Sequence, residues 1–294
     1  MENIKFTYDE FTNRNIGFVT EQEQEKLKNA TIFVCGTGGM GGACILSLVR
    51  SGIGHLIISD IDEFEISNLN RQVFCNLDTV NHHKAEATKE LCLKINPELK
   101  IEVLHGEDEK SVDRIIKQAD VIVNGTDDLG ASLLLYRTAR QNNKPVIDAY
   151  ASPLPSVYVT RATDKMPEER LGYPTQGTAW NKLSEEQRSG AFLKEAEYIM
   201  VHSSSRHYID LKLAGEVTAG TRSRMSFAPM VITAGTLMAY EVTTLVMKSE
   251  SATDCNGWFF NPYLGRVEHP KNKIVAAVMR PIVRKFLNDL VTAE

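Results

Sequence analysis

The chain has 294 residues, 43% of them hydrophobic, and a formal net charge of −5. That is enough for one large α/β domain or two modest ones with a substantial core, and the acidic balance argues against a non-specific nucleic-acid partner. Five cysteines (Cys35, Cys44, Cys75, Cys92 and Cys255), none in C-x-x-C spacing, exclude a sequence-readable zinc site or disulfide framework and fit a reducing compartment.

Residues 1–30 read as an N-terminal arm and a helix. MENIKFTYDEFTNRN carries acids and no apolar stretch of signal-peptide type, so the expected location is cytoplasmic. Next comes the apolar run TIFVC (31–35), a buried strand. Gly36, Gly38 and Gly41 follow with G-x-G-x-x-G spacing, and Gly39 lies between them, ahead of a helical stretch from Ala43 to Arg50. Glycines there let the backbone turn tightly and approach phosphate oxygens, while free N–H groups and the helix dipole favour negative charge. NAD, FAD and ATP all suit such a loop.

Up to residue 150, apolar and amphipathic runs alternate: HLIISD, a helix over Lys84 to Ile95, KIEVLH, a helix over Val112 to Gln118, DVIVNG, a helix over Ala131 to Gln141, and PVIDAY. The alternation predicts βαβ units and a mostly parallel sheet, with ligands at the carboxyl ends of its strands. Gly36, Asp60, Asp62, Asn124 and Asp127 fall there.

Residues 31–150 would form the nucleotide-binding half and 151–294 an extension. In the extension, Ser156 to Ala162 reads as a strand, and Asp164 to Gly190 as a long polar loop or mobile cover framing the substrate. Val231 to Met247 reads as a buried helix, WFFNPYLGRVEH as a hairpin, and Pro281 to Leu290 as a final amphipathic helix. The stretch Met225 to Met247 is apolar enough to raise a membrane span, but Pro229, Glu241 and several threonines favour a core helix, so no membrane partner is expected.

Asp60 stands about twenty residues beyond the glycines, where a dinucleotide fold places the acid that binds a ribose hydroxyl. DIDEFEISNLNRQ (60–72), followed by Lys84, separates the nucleotides: a redox site needs no cluster of Asn68, Arg71 and Lys84, whereas attack on a triphosphate needs cations to absorb developing charge.

SNLNRQ, after an acid-x-acid strand end and the glycine loop, resembles the ubiquitin-activating-like adenylyltransferases (ThiF/MoeB/HesA type), and the likeness runs from about Arg14 to Met247. The resemblance implies a Rossmann-like, doubly wound α/β fold whose mostly parallel sheet is extended by antiparallel strands, in a homodimer. It also implies a carboxylate joined to AMP from Mg-ATP with release of pyrophosphate. Carried over to this chain, it makes Gly36, Gly38, Gly39 and Gly41 phosphate-loop residues and Asp60, with Asp62, the ribose acid. Asn68, Arg71, Gln72 and Lys84 become nucleotide contacts, and Asp127 the magnesium ligand. N-R-N-I at 13–16 resembles a family motif whose arginine reaches the other subunit's ATP, so Arg14 would act in trans.

Three departures stand out. The family's asparagine after the metal aspartate is Asp128 here, and an arginine usual further along is replaced within LGASLLLY. The zinc-binding C-x-x-C pairs of many relatives are absent, so no zinc is expected. No cysteine lies between Cys92 and Cys255, where relatives that form a thioester or persulfide carry their nucleophile.

The leading reading is an ATP-dependent adenylyltransferase acting on the C-terminus of a ubiquitin-like or sulfur-carrier protein, or on a peptide. Three alternatives stay open at this stage. They are a tRNA threonylcarbamoyl-adenosine dehydratase-like activity, with tRNA as the one nucleic acid partner; an NAD- or FAD-dependent oxidoreductase; and a catalytically silent partner subunit.

Overall fold

In the computed structural model, residues 5–105, 109–218 and 221–292 are described. Residues 1–4 of the expected N-terminal arm and 293–294 of the expected extension lie outside them. The chain starts with α1 (Tyr8–Thr12) and α2 (Glu21–Asn29), the latter closed by a capping box between Thr20 and Glu23. Tyr8 anchors this start through a 2.6 Å hydrogen bond from its hydroxyl to the Gly52 carbonyl.

The alternating half then runs β1 (Thr31–Cys35), α3 (Gly39–Arg50), β2 (His55–Ser59), α4 (Lys84–Leu93), β3 (Lys100–Leu104), α5 (Glu109–Gln118), β4 (Val121–Asn124), α6 (Leu129–Gln141) and β5 (Val146–Asp148). The extension follows as β6 (Ser156–Thr160), α7 (Pro167–Leu171), α8 (Glu185–His202), α9 (Leu211–Thr218), α10 (Ala228–Lys248), β7 (Trp258–Asn261), β8 (Arg266–Glu268) and α11 (Lys273–Thr292).

One sheet has the order β3-β2-β1-β4-β5-β6-β7-β8. Strands β1 to β5 pair in parallel, and β6, β7 and β8 add antiparallel, as expected from the sequence. Alternate residues of β1 feed different layers: Ile32 and Val34 pack with Ile45, Leu48, Ala234 and Met238, while Phe33 and Cys35 pack with Ile115, Ile122 and Leu135. Burial on both faces is why the strand reads as an unbroken apolar run. Strand order reverses between β1 and β4, so the crevice for a ligand opens where Gly36 and Gly125 leave the sheet.

Helix α10 is long and apolar enough to cross a membrane. Here it lies on α3, so close that a Cβ on Gly39 would stand 2.5 Å from a Val231 methyl.

Four sequence expectations need correction. Helix α3 begins at Gly39 rather than Ala43, because the loop's later glycines already form its first turn. The segment Asp164 to Gly190 is no long loop: it carries α7, a 3-10 turn (Trp180–Lys182) and the first turn of α8. Ion pairs Arg137–Glu168 at 2.8 Å and Arg140–Glu169 at 2.7 Å fasten α7 to α6. The final helix starts at Lys273, with Pro281 in its interior, and the buried helix starts at Ala228.

Candidate functional site

The site grows from the turn after β1. Gly36 has φ +90°, and a Cβ there would stand 2.5 Å from the Gly125 carbonyl carbon, so the loops after β1 and β4 run in direct contact. A Cβ on Gly41 would overlap the Gly36 carbonyl, which makes Gly41 a packing residue of the loop. Gly38 and Gly39 remain half-buried at the N-terminus of α3, where first-turn N–H groups lack partners within the helix.

Asp60 holds this loop in place. Its Oδ2 accepts from the Thr37 N–H at 2.7 Å and the Thr37 hydroxyl at 3.1 Å, while Oδ1 accepts from the Asp62 N–H at 3.1 Å. The Asp62 side chain points elsewhere: its Oδ2 accepts from Lys84 Nζ at 2.9 Å. Lys84, at the first position of α4 and only 8% exposed, is thereby fixed before any ligand arrives.

The stretch after β2 folds over the loop. A Cβ on Gly39 would lie 3.9 Å from Arg71 Cγ, and one on Gly38 would lie 3.7 Å from the Gln72 amide nitrogen. Arg71 donates through Nη1 to the Ser67 carbonyl and to Asn70 Oδ1, both at 2.9 Å. Gln72 is buried, and its Oε1 has no hydrogen-bond partner among the described residues. Asn68 is also buried, but its Oδ1 accepts from the Glu65 N–H at 3.2 Å, which closes its own turn.

Asp127 and Asp128 have separate tasks. The Asp127 side chain is 86% exposed at the end of β4, with Arg224 Nη1 at 3.9 Å. Asp128 caps α6, accepting from the Ala131 N–H at 2.7 Å, and pairs with Arg188 at 2.7 Å. Arg14 sits exposed on a 3-10 turn (Asn13–Asn15), four residues before Phe18, which is 96% exposed.

Sequence reasoning missed a buried polar layer under the crevice. Asp148 accepts from the Tyr136 hydroxyl at 2.8 Å and from the Asn124 amide at 3.1 Å, and burial pushes its carboxyl up to about 6. Arg170 donates to the Tyr150 hydroxyl at 2.8 Å and lies over the Tyr198 ring at 4.8 Å, and its Nε and Nη1 are buried with no hydrogen-bond partner among the described residues. The Tyr173 hydroxyl donates to Glu195 at 2.6 Å. Arg170, Tyr173 and Glu195, with Arg188 and Arg224, come from stretches that the sequence left as loop or unread, whereas Asn124, Tyr136, Asp148 and Tyr150 lie in elements it did predict.

No cysteine is placed as an activated nucleophile. Cys44 and Cys75 are buried, and burial pushes both thiols up, Cys75 despite the opposing charges of Lys84 and Arg71. Cys255 is half-buried and is also pushed up by burial.

A family model described as the ThiF family matches residues 12–273. Among curated proteins, the adenylyltransferase and sulfurtransferase MOCS3 of Culex quinquefasciatus is 31% identical over 134 residues, 45% of this chain and 31% of that protein. Protein HesA of Nostoc sp. is 32% identical over 130 residues, 44% of this chain and 52% of that protein. The matched stretch thus spans a third to about half the length of these relatives. Two solved structures share the fold. PaaA has a TM-score of 0.60 at 19% identity, covering 92% of this chain and 78% of PaaA. E. coli MccB with ATP has a TM-score of 0.59 at 23% identity, covering 85% of this chain and 65% of MccB.

Proposed function

This chain belongs to the ThiF family, and from that premise we propose that it is an ATP-dependent adenylyltransferase. A substrate carboxylate attacks the α-phosphorus of ATP, the bond to pyrophosphate breaks, and an acyl-adenylate forms. The substrate is the C-terminus of a ubiquitin-like or sulfur-carrier protein, or of a peptide. The observation that carries this reading is the placing of Arg71 and Gln72 against Gly39 and Gly38, beside a Lys84 already fixed by Asp62. Such a set of cations serves charge developing on a polyphosphate and has no role in hydride transfer.

Asp127 fits a magnesium ion that arrives with the nucleotide, because magnesium keeps several waters and takes only one or two protein carboxylates alongside phosphate oxygens. Bound there, the ion would neutralise polyphosphate charge. The chain acts as a cytoplasmic homodimer in which Arg14 reaches the nucleotide of the partner; the exposed Phe18, four residues on, supports an interface. With no cysteine between residues 92 and 255, the acyl-adenylate passes to a nucleophile from elsewhere.

Calorimetric titration is expected to give Mg-ATP binding far tighter than NAD binding, and labelled pyrophosphate to exchange into ATP once a substrate carboxylate is supplied. Tight NAD binding with negligible ATP affinity would overturn the assignment. Arg71→Ala removes a charge-assisted contact worth about 1.5–3 kcal/mol. Exchange should fall at least about tenfold, and an unchanged rate would remove Arg71 from the phosphate site.

A further inference from the structure

Between α8, α9, the start of α10 and α11 lies a cavity of about 390 Å³, within the range of small-molecule sites. Its walls are mostly apolar, with Phe192, Met200, Leu211, Met230 and Phe286 among them. Glu195 and Arg224 also line it. Arg224 joins the cavity to the adenylation site: its guanidinium lies 5.3 Å over the Phe192 ring, and its Nη1 stands 3.9 Å from Asp127.

Burial pushes the Glu195 carboxyl up to about 7, with the Tyr173 hydrogen bond opposing it and the charge of Asp148 adding to it. Arg206 and Asp210 line the wall as well, so two guanidiniums stand against Asp210 and a partly protonated Glu195, and nothing in it calls for a cationic guest. A diglycine tail has no side chain with which to occupy such a space.

We propose that this cavity receives the apolar side chain of a peptide's C-terminal residue, whose carboxylate Arg224 holds beside Asp127 for adenylation. The inference rests on the adenylyltransferase reading and narrows its substrate to peptides ending in a residue such as Leu, Met or Phe. A single methylene in a hydrophobic pocket discriminates roughly 10–200-fold, so a whole apolar side chain should discriminate at least about tenfold against a substrate that lacks it.

The test uses N-acetylated hexapeptides that differ only in their last residue (Gly, Asp, Lys, Leu, Met or Phe), together with one ending in Gly-Gly. Each is assayed for pyrophosphate exchange with the full chain, alongside calorimetric titration with Mg-ATP alone. Exchange with the Leu, Met or Phe peptides is expected to exceed that with Gly by at least about tenfold. Ala196→Phe, which fills the cavity from α8, should erase that preference while Mg-ATP binding stays as in the wild type; because Ala196 packs on the α8–α11 cluster, its melting temperature is followed alongside. If that variant unfolds, Ala196→Leu and the wild-type panel carry the same comparison.

Three outcomes would overturn the inference: equal or better exchange with Gly, Gly-Gly or charged termini; an undiminished preference in a folded cavity variant; or no exchange with any peptide while Mg-ATP still binds. Loss of Mg-ATP binding by the wild-type chain would instead bring down the adenylyltransferase reading itself.

Discussion

Replacing Asp127 by alanine is expected to lower magnesium-dependent pyrophosphate exchange on the order of 10²–10³-fold, the loss typical of removing one element that stabilises developing charge. The melting temperature should not move, because the side chain is 86% exposed and its ion pair with Arg224 is long at 3.9 Å. Exposed positions of this kind shift stability by no more than about 0.5 kcal/mol. Asp128→Ala is the control, since it deletes the α6 cap and the Arg188 pair. A lost cap costs about 0.5–2 kcal/mol, so Asp128→Ala should melt earlier while retaining its response to magnesium. Titrating magnesium against exchange rate in both variants, with melting curves, separates the two carboxylates. A wild-type rate in Asp127→Ala would remove it from the site, and an equal stability loss in both would make it a second structural residue.

That division of labour was only half legible in the sequence. Thr126-Asp127-Asp128 gives two adjacent carboxylates at a strand end, and composition cannot say which one caps the helix. The backbone settles it: α6 starts at Leu129, so Asp128 is the residue whose side chain reaches the Ala131 N–H. The alternating half was readable because its central strands are buried on both faces and its helices on one, which leaves a periodic signature.

The extension hid its helices behind polarity, although two start signals were present: Pro167 at a first helical position, and Ser184 with Gln187 as a capping box. The region from 164 to 190 is held by side-chain ion pairs to α6 rather than by an apolar stripe, so periodicity had little to report. The layer of Asp148, Arg170, Tyr173 and Glu195 is assembled from three separate segments, the end of β5, α7 with the turn after it, and α8, and such a contact has no sequence spacing to find.

Lys84→Met is expected to cost on the order of 10²–10³ in turnover if, as proposed, the Lys84 ammonium serves charge that appears as the α-phosphorus is attacked. The site is preorganised. Lys84 is 8% exposed, its backbone N–H donates to the Asp62 carbonyl at 2.9 Å, and its Nζ lies 2.9 Å from Asp62 Oδ2, so side chain and main chain are fixed by the same residue. Little ordering is left for the moment of reaction, which is where a positioned charge has its largest effect.

The fold should tolerate the change. Asp62 keeps 63% of its side-chain exposure, so its unpaired carboxylate stays hydrated, and ion pairs with an exposed member contribute about 0–1 kcal/mol. Lys84→Arg restores the charge on a longer, planar group in a space shaped for an ammonium, and should recover only part of the rate. Asp62→Asn leaves the cation but loosens its hold, and should fall between wild type and Lys84→Met. Single-turnover adenylation at saturating Mg-ATP, with melting temperatures for each variant, gives the ranking. If Lys84→Met adenylates at the wild-type rate, or if only its affinity for ATP declines, Lys84 serves binding and Arg71 is left to carry the transition-state charge.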